Sequence, residues 1–503
     1  MAIGPDPKTG FLALNRFGYG ARGSTNDLAR AASDPRGFLT AELQQLGIGQ
    51  LQNSTLPQSK EALQALYAQR QRIRLARQQK FAKPETPEQM PDPGGADADT
   101  KRRPQDKAAQ TDELAPKEMQ QASPETKAMR AEPPLPQQFF RAEALARFQK
   151  VAGADAGFVE RLVQFWSNHF CVSASKGGAV RAIAGCFERE AIRPHALGRF
   201  ADMLNAVASH PAMLLYLDNA QSFGPNSRAG QNRKRGLNEN LAREILELHT
   251  LSVAGGYTQA DVTSLARILT GWTFAGAQGR IGEPGKFVFF PNGHEPGDHK
   301  LLGKVYKAGG WEQGGAALAD LARHPATARY IASKLARHFV SDDPPEQLIS
   351  RLERVFKETG GDLKALALAL VDADGSWATA HTKMRSPYEF LLAAVRAVGR
   401  IPQEPGFLLG PLSVMGMPLW QPPGPNGWSD AAAAWATPKG MKSRLDVSAA
   451  IAARLKDAMH PSELLETIVG EAASRETRQA IARAESRQQG LALLLMSPEF
   501  QWR

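Results

Sequence analysis

Apolar residues recur at helical spacing along most of the chain. Phe11-Leu12-Ala13-Leu14 runs into Asn15-Arg16-Phe17-Gly18-Tyr19-Gly20, a helical segment stopped by glycine punctuation. Asp34-Pro35 opens a helix in which Leu39, Leu43 and Leu46 keep the i, i+4, i+7 rhythm of a buried stripe. A second helix is predicted over 59–79, with Leu63, Leu66, Tyr67, Ile73 and Leu75 set among Gln and Arg. Further helices are predicted over 140–151, 158–170, from 178 onward, over 197–209, 237–253, 258–269, 316–339, 346–358, 363–372 and 387–398, and in the tail to 496. Thr258 with Asp261 three residues on is a capping box in which Asp stands for the usual Glu or Gln. Lys286–Phe290 alone breaks the helical rhythm together with 300–306, and the two segments predict short strands joined through Pro-Asn-Gly. Residues 402–425 form a long Pro/Gly-rich connection. The predicted class is mainly α, with a small β-hairpin element and no repeat of 20–50 residues.

Residues 82–138 have a different character. They hold ten prolines, many Lys, Glu, Asp and Gln, and no aromatic residue. Such a stretch buries too little apolar surface to offset its ordering entropy. It reads as a disordered surface insertion, because loops absorb added length cheaply. The predicted organisation is a single helical domain built from 1–81 and 139–503, interrupted by that insertion.

Composition narrows the classes. Hydrophobic residues at 42% and charged residues at 22% are ordinary globular values, so collagen-like, mucin-like and wholly disordered chains are excluded. No window of about 18 apolar residues occurs, which excludes a membrane-spanning helix. The net charge of +10 brings solubility and a loose attraction for anions. Without a zinc finger, an RNP-like aromatic pattern or a basic heptad helix, it does not indicate nucleic acid. Cys171 and Cys186 are too few for a disulfide framework and read as free thiols, with a single bridge left open. The N-terminal MAIGPDPKTGFLALNRFGYG has no basic stretch followed by an apolar run, so no secretory leader is read there.

The strongest motif is Leu237-Asn238-Glu239-Asn240-Leu241-Ala242-Arg243-Glu244-Ile245-Leu246-Glu247-Leu248-His249-Thr250, continued by Gly255-Gly256-Tyr257-Thr258-Gln259 and Leu269-Thr270-Gly271-Trp272. It resembles a bacterial family known as domain of unknown function 1800. The resemblance extends to Leu14–Gly20, Phe165-Trp166-Ser167-Asn168-His169-Phe170, Asp298–Gly303, Phe339–Pro345, Met415-Gly416-Met417-Pro418 and Pro422-Pro423-Gly424-Pro425-Asn426-Gly427-Trp428. It covers nearly the whole chain apart from the insertion. It implies one large helical domain rather than the three that length alone would suggest. It also implies a periplasmic or envelope-associated protein, although the missing leader leaves a cytoplasmic location open. The resemblance further implies a partner from the phosphatase/sulfatase-like domain of unknown function 1501 family.

At about 100° per residue, Glu239, Arg243, Glu247, Asn240 and Glu244 share one arc of about 140°. Leu241, Ala242, Ile245, Leu246 and Leu248 fill the opposite arc, and His249 falls among them. The polar arc has two readings. One is a solvated face laced by i, i+4 pairs. The other is an acid–base site, in which crowded carboxylates raise one pKa while Arg243 keeps another ionised. The second reading makes Glu244 the general acid or base, with Glu247, Arg243 and Asn240 beside it and Asp218 or Asp261 as the second carboxylate. Glu239 and Arg267 would bind substrate, and Trp272 and Trp428 would offer stacking faces to a sugar, as would Trp420 and Trp435.

The leading expectation is therefore a carboxylate-dependent hydrolase of an envelope or extracellular glycan, with no cofactor. A non-catalytic assembly protein is the alternative. A third is a metal-dependent oxidoreductase with a divalent ion at His294 and His299, with His169 and His210 as further ligands. No nucleotide fingerprint and no Gly-x-Ser-x-Gly elbow occurs.

Overall fold

The computed structural model describes residues 7–51, 53–82, 132–233, 236–378, 383–401, 403–455 and 459–503. The described residues of Met1–Leu66 and Leu135–Arg503 form one compact unit, and those of Tyr67–Pro134 a second. The larger unit is mainly α-helical, with two small antiparallel sheets. Residues 83–131, the bulk of the predicted insertion, lie outside the described residues. The helix that follows starts at Leu135, so 135–138 belong to it rather than to the insertion.

The Phe158–His169 helix is buried on nearly every side. Phe158, Val159, Leu162, Val163, Phe165 and Trp166 supply its apolar surface. Phe17 and Phe339 each pack on Phe158 with ring centroids 5.5 Å apart. Its N-terminus leaves backbone N–H groups without intrahelical partners. The buried Glu42 carboxylate meets that need, accepting from Ala156 N (3.1 Å), Gly157 N (3.0 Å) and Val159 N (2.9 Å). The Leu135–Gly153 helix is finished in the opposite sense. Arg396 donates to the carbonyls of Val151 (3.1 Å) and Ala154 (2.6 Å), placing a guanidinium at the negative end of the helix dipole.

Charges inside this core are met by opposite charges or, at Arg385, Arg396 and Arg444, by carbonyl oxygens. Arg193 reaches Glu160 at 2.9 Å and Glu188 at 3.0 Å, Arg147 reaches Glu188 at 2.7 Å, and Arg161 reaches Glu389 at 2.9 Å. An unpaired charge here would forfeit several kcal/mol of hydration.

Helices Glu346–Glu358, Leu363–Asp372 and Pro387–Val398 match the residues predicted from periodicity. The Thr258 capping box is formed: Thr258 N donates to Asp261 Oδ2 at 2.9 Å. Other expectations change. Leu39 and Leu43 are buried but Leu46 is exposed, because that helix stops at Leu43. The predicted 316–339 helix is two, Trp311–Arg323 and Pro325–Phe339, since Pro325 has no N–H to continue the ladder. A helix, Gly406–Val414, lies inside the Pro/Gly-rich segment. The single expected hairpin is two sheets. Trp272–Phe274 pairs with Phe287–Phe289, and His299–Leu301 pairs with Lys304–Tyr306. The second pair turns through Leu302 and Gly303, both at positive φ (49° and 82°), which suits a tight hairpin.

The signature helix is shorter than predicted. An α-helical turn, Asn240–Glu244, runs into a π-helical turn, Ile245–His249. Asn238 Oδ1 starts it by accepting from Asn240 N (2.9 Å). Thr250 Oγ1 ends it by donating to Ile245 O (2.6 Å).

Candidate functional site

A cavity of about 60 Å³ opens where the end of the Phe158–His169 helix meets the start of Pro387–Val398 and the 417–435 segment. Asn168 fixes the long segment in place. Its side-chain amide donates to Trp428 O (2.9 Å) and accepts from Trp428 N (2.7 Å). Ser173 Oγ donates to Pro422 O (3.0 Å), and Ala174 N to Trp420 O (2.8 Å). Gly427 sits at φ +75°, and a Cβ there would lie 2.5 Å from Asn168 O, so glycine is required. Two motifs far apart in sequence thus form one wall.

Trp420, Trp428 and Trp435 edge the cavity, the last two with ring centroids 6.2 Å apart. Ser386 caps its helix with Glu389 in a reciprocal box, which sets Glu389 at the cavity wall. Arg503 Nη2 lies 3.0 Å from Glu389 Oε1, alongside Arg161. Burial alone would raise the Glu389 carboxyl; Arg161 and Arg503 outweigh it and hold the group far below the carboxylate range. His338 Nδ1 donates to Asp430 Oδ1 at 2.7 Å. Burial opposes ionisation of Asp430 too, but His338, Lys383 and Lys334 bring it down to about 2. Burial lowers His338, against the opposing pull of its Asp430 partner. The cavity carboxylates are therefore acceptors and fixed charges, not proton donors.

The polar arc lies on the surface, half-buried. Arg243 Nη2 donates to Glu239 (3.0 Å), and Arg243 reaches Glu247 at 3.6 Å. Glu239 also accepts from Thr263 Oγ1 (2.6 Å) and Gln259 Nε2 (2.8 Å), which makes it a cross-link to the next helix. Asn240 is exposed at the helix start. Glu244 has no hydrogen bond or ion pair among the described residues, and burial, then Glu247, raises its carboxyl. Burial pushes the Cys171 thiol up to about 12, and Glu244 is among the charges acting on it. Cys171 lines the cavity, and Glu244 is not among the lining residues.

Other expected residues stand elsewhere. Asp218 is paired with Lys176 at 2.6 Å, whereas the charges acting on Glu244 are Glu247 and Arg243. Asp261 is held by Thr258 and by Leu302 N (2.7 Å). Trp272 is 1% exposed, packed against Phe287 and Gly314, and offers no stacking face; its strand buries it. Arg267 is exposed, and Trp428 lines the cavity.

The histidines expected as metal ligands have hydrogen-bond partners within the protein. His294 Nδ1 donates to Thr270 O (2.9 Å), and His299 Nε2 faces Glu295 O at 3.5 Å. His210 caps a helix by accepting from Ala212 N (3.1 Å). His169 accepts from Lys334 Nζ (3.1 Å) and donates to His249 O (3.1 Å). His249 is buried, as its place on the apolar arc required, and is pushed down to about 3 by burial and Lys334. Among the described residues, no three His, Cys, Asp or Glu side chains are grouped to share a metal ion. Both cysteines are free thiols.

His338, Asp430, Glu389, Tyr388 and Arg147 escaped the sequence reading. One local signal was present: Ser386-Pro387-Tyr388-Glu389 is a capping box with proline at the first helical position. No helix among the described residues is long and apolar enough to cross a membrane.

No curated protein matches the chain, and no solved structure does. The family model described as "Protein of unknown function (DUF1800)" matches residues 12–502, and the chain belongs to that family.

Proposed function

We propose that the chain is a glycan hydrolase acting on a bacterial envelope or extracellular polysaccharide, with a sugar ring held at the tryptophan-edged cavity. The observation that carries this reading is the set of Trp420, Trp428 and Trp435 on a mainly apolar cavity whose lining also includes Glu389, Asp430, His338 and Arg503. Indole faces stack on the apolar faces of sugars, and fixed polar groups select among their hydroxyls. Glu389 and Asp430, held ionised, accept hydrogen bonds from substrate hydroxyls. Glu244 is the general acid. Its raised carboxyl and lack of a partner suit it to hand a proton to the departing glycosidic oxygen, while a water that gives its proton to Glu247 adds to the anomeric carbon.

Soluble glycan fragments, screened by tryptophan fluorescence and by release of reducing ends, test the reading. Glu244→Gln is expected to bind and not cleave, and Trp428→Ala to lose binding. Cleavage retained in Glu244→Gln, or a panel with no ligand, overturns it.

Docking to a phosphatase/sulfatase-like partner is the second reading. The observation in its favour is the exposure of Phe407 (55%) and Val414 (59%), seven residues apart on one face of the Gly406–Val414 helix. Phe407→Ser would then weaken co-purification with that partner.

A further inference from the structure

We infer that a second, open groove binds a carboxylate-bearing sugar chain, a polyuronate, an inference that rests on the saccharide reading above. The groove has a volume of about 520 Å³, against about 60 Å³ for the tryptophan-edged cavity, and belongs to the same compact unit. It is lined by Phe223 and Phe290, set edge to face with ring centroids 6.4 Å apart, and by the exposed loop 276–281. Ser222, also in the lining, accepts from Asn238 N at 3.0 Å, which ties the groove to the segment that starts the signature helix.

Charge and open donors decide the ligand. Arg280 is exposed and is the one charged residue in the described lining, which holds no carboxylate. Its guanidinium makes no ion pair or hydrogen bond among the described residues. The loop turns twice, Gly279 N donating to Gly276 O (3.0 Å) and Gly282 N to Gly279 O (3.4 Å). The N–H groups of Gly276, Ala277, Gln278, Arg280 and Ile281 have no acceptor among the described residues. All five residues are exposed, so water is what a ligand in the groove displaces from them. Successive N–H groups in turns favour an anion, and a guanidinium pairs with the planar carboxylate through two bonds. One arginine balances the single charge of a uronate ring and leaves part of the charge of a phosphate monoester unmatched. A fatty acid carries the same carboxylate, but its chain would strip water from the loop donors and return no acceptor. Sugar oxygens return acceptors, and the phenyl rings give the sugar an apolar wall.

Calorimetric titration of the full chain at neutral pH tests this with the tetramers of galacturonate and mannuronate, each beside its neutral methyl ester. Wild-type protein is expected to bind at least one acid tetramer about tenfold more tightly than the ester of the same tetramer. Arg280→Gln is expected to lose about that factor for the acid and nothing for the ester, with an unchanged melting temperature, since the side chain holds no other described group. Gly276→Glu sets a like charge in the groove at a position where a Cβ meets no atom within 4 Å. It is expected to weaken the acid tetramer about as much and the ester less. Equal affinities of acid and ester in the wild type, or acid binding unchanged in Arg280→Gln, overturn the polyuronate inference and leave the saccharide reading standing. Binding of neither acid tetramer, while another glycan of the panel binds, also overturns the inference alone. Binding of no glycan at all overturns both.

Discussion

Glu42 is expected to be among the most costly single side chains to remove, although it touches no part of the cavity. Its carboxylate is 4% exposed and accepts from three backbone N–H groups at 2.9 to 3.1 Å, which fixes the entry to the Phe158–His169 helix. Hydrogen bonds to a charged acceptor contribute about 1.5–3 kcal/mol each. Part of that gain is offset by desolvation, which raises the Glu42 carboxyl despite the three donors. Glu42→Ala leaves three donors facing a void, and a net loss of about 3–5 kcal/mol is expected. Glu42→Gln keeps one acceptor oxygen without the charge, and about 1–2 kcal/mol is expected. Urea unfolding followed by tryptophan emission gives the change in midpoint, and native-state hydrogen exchange reads the amides of Ala156, Gly157 and Val159. A loss below about 1 kcal/mol in Glu42→Ala, with protection of those amides unchanged, would refute the argument that buried carboxylate capping holds this helix.

Two further outcomes follow from the same geometry. Gly427→Ala is expected to cost roughly 2–3 kcal/mol through positive-φ strain and a clash with the Asn168 carbonyl, and to weaken saccharide binding; an unchanged melting temperature would show that the loop yields freely. Asp430, whose carboxyl is lowered to about 2 from 3.8, contributes stability that is present above about pH 4 and lost as the pH falls through 2. Asp430→Asn is expected to be less stable than wild type by roughly 2 kcal/mol at pH 7, with the gap closing on acidification between pH 4 and 2. Parallel acid-unfolding curves for the two proteins would contradict it.

Local physics made the helices legible. Periodic apolar residues give Glu346–Glu358, Leu363–Asp372 and Pro387–Val398 with their ends, since caps and prolines are themselves local signals. The capping box at Thr258 and the burial of His249 followed from spacing alone. The ion pairs from Arg243 to Glu239 and Glu247 followed in the same way, because one helix face is defined within a few residues. Where the α-helical turn gives way to a π-helical one after Glu244, the about 100° wheel ceases to hold.

The tertiary structure alone decided which strands pair. Trp272–Phe274 finds Phe287–Phe289 through backbone hydrogen bonds that carry no sequence mark, and the pairing buried a tryptophan expected to bind sugar. It alone decided the cavity as well. Asn168 meets Trp428 across 260 positions, and His338 meets Asp430 across 92. Buried Arg, Glu and His look in sequence like any solvated residue, because what makes them functional candidates is the loss of water and the partner that replaces it. The sequence by itself determined many of the helices, the Thr258 cap and the family; only the folded chain determined which charges lost their water together.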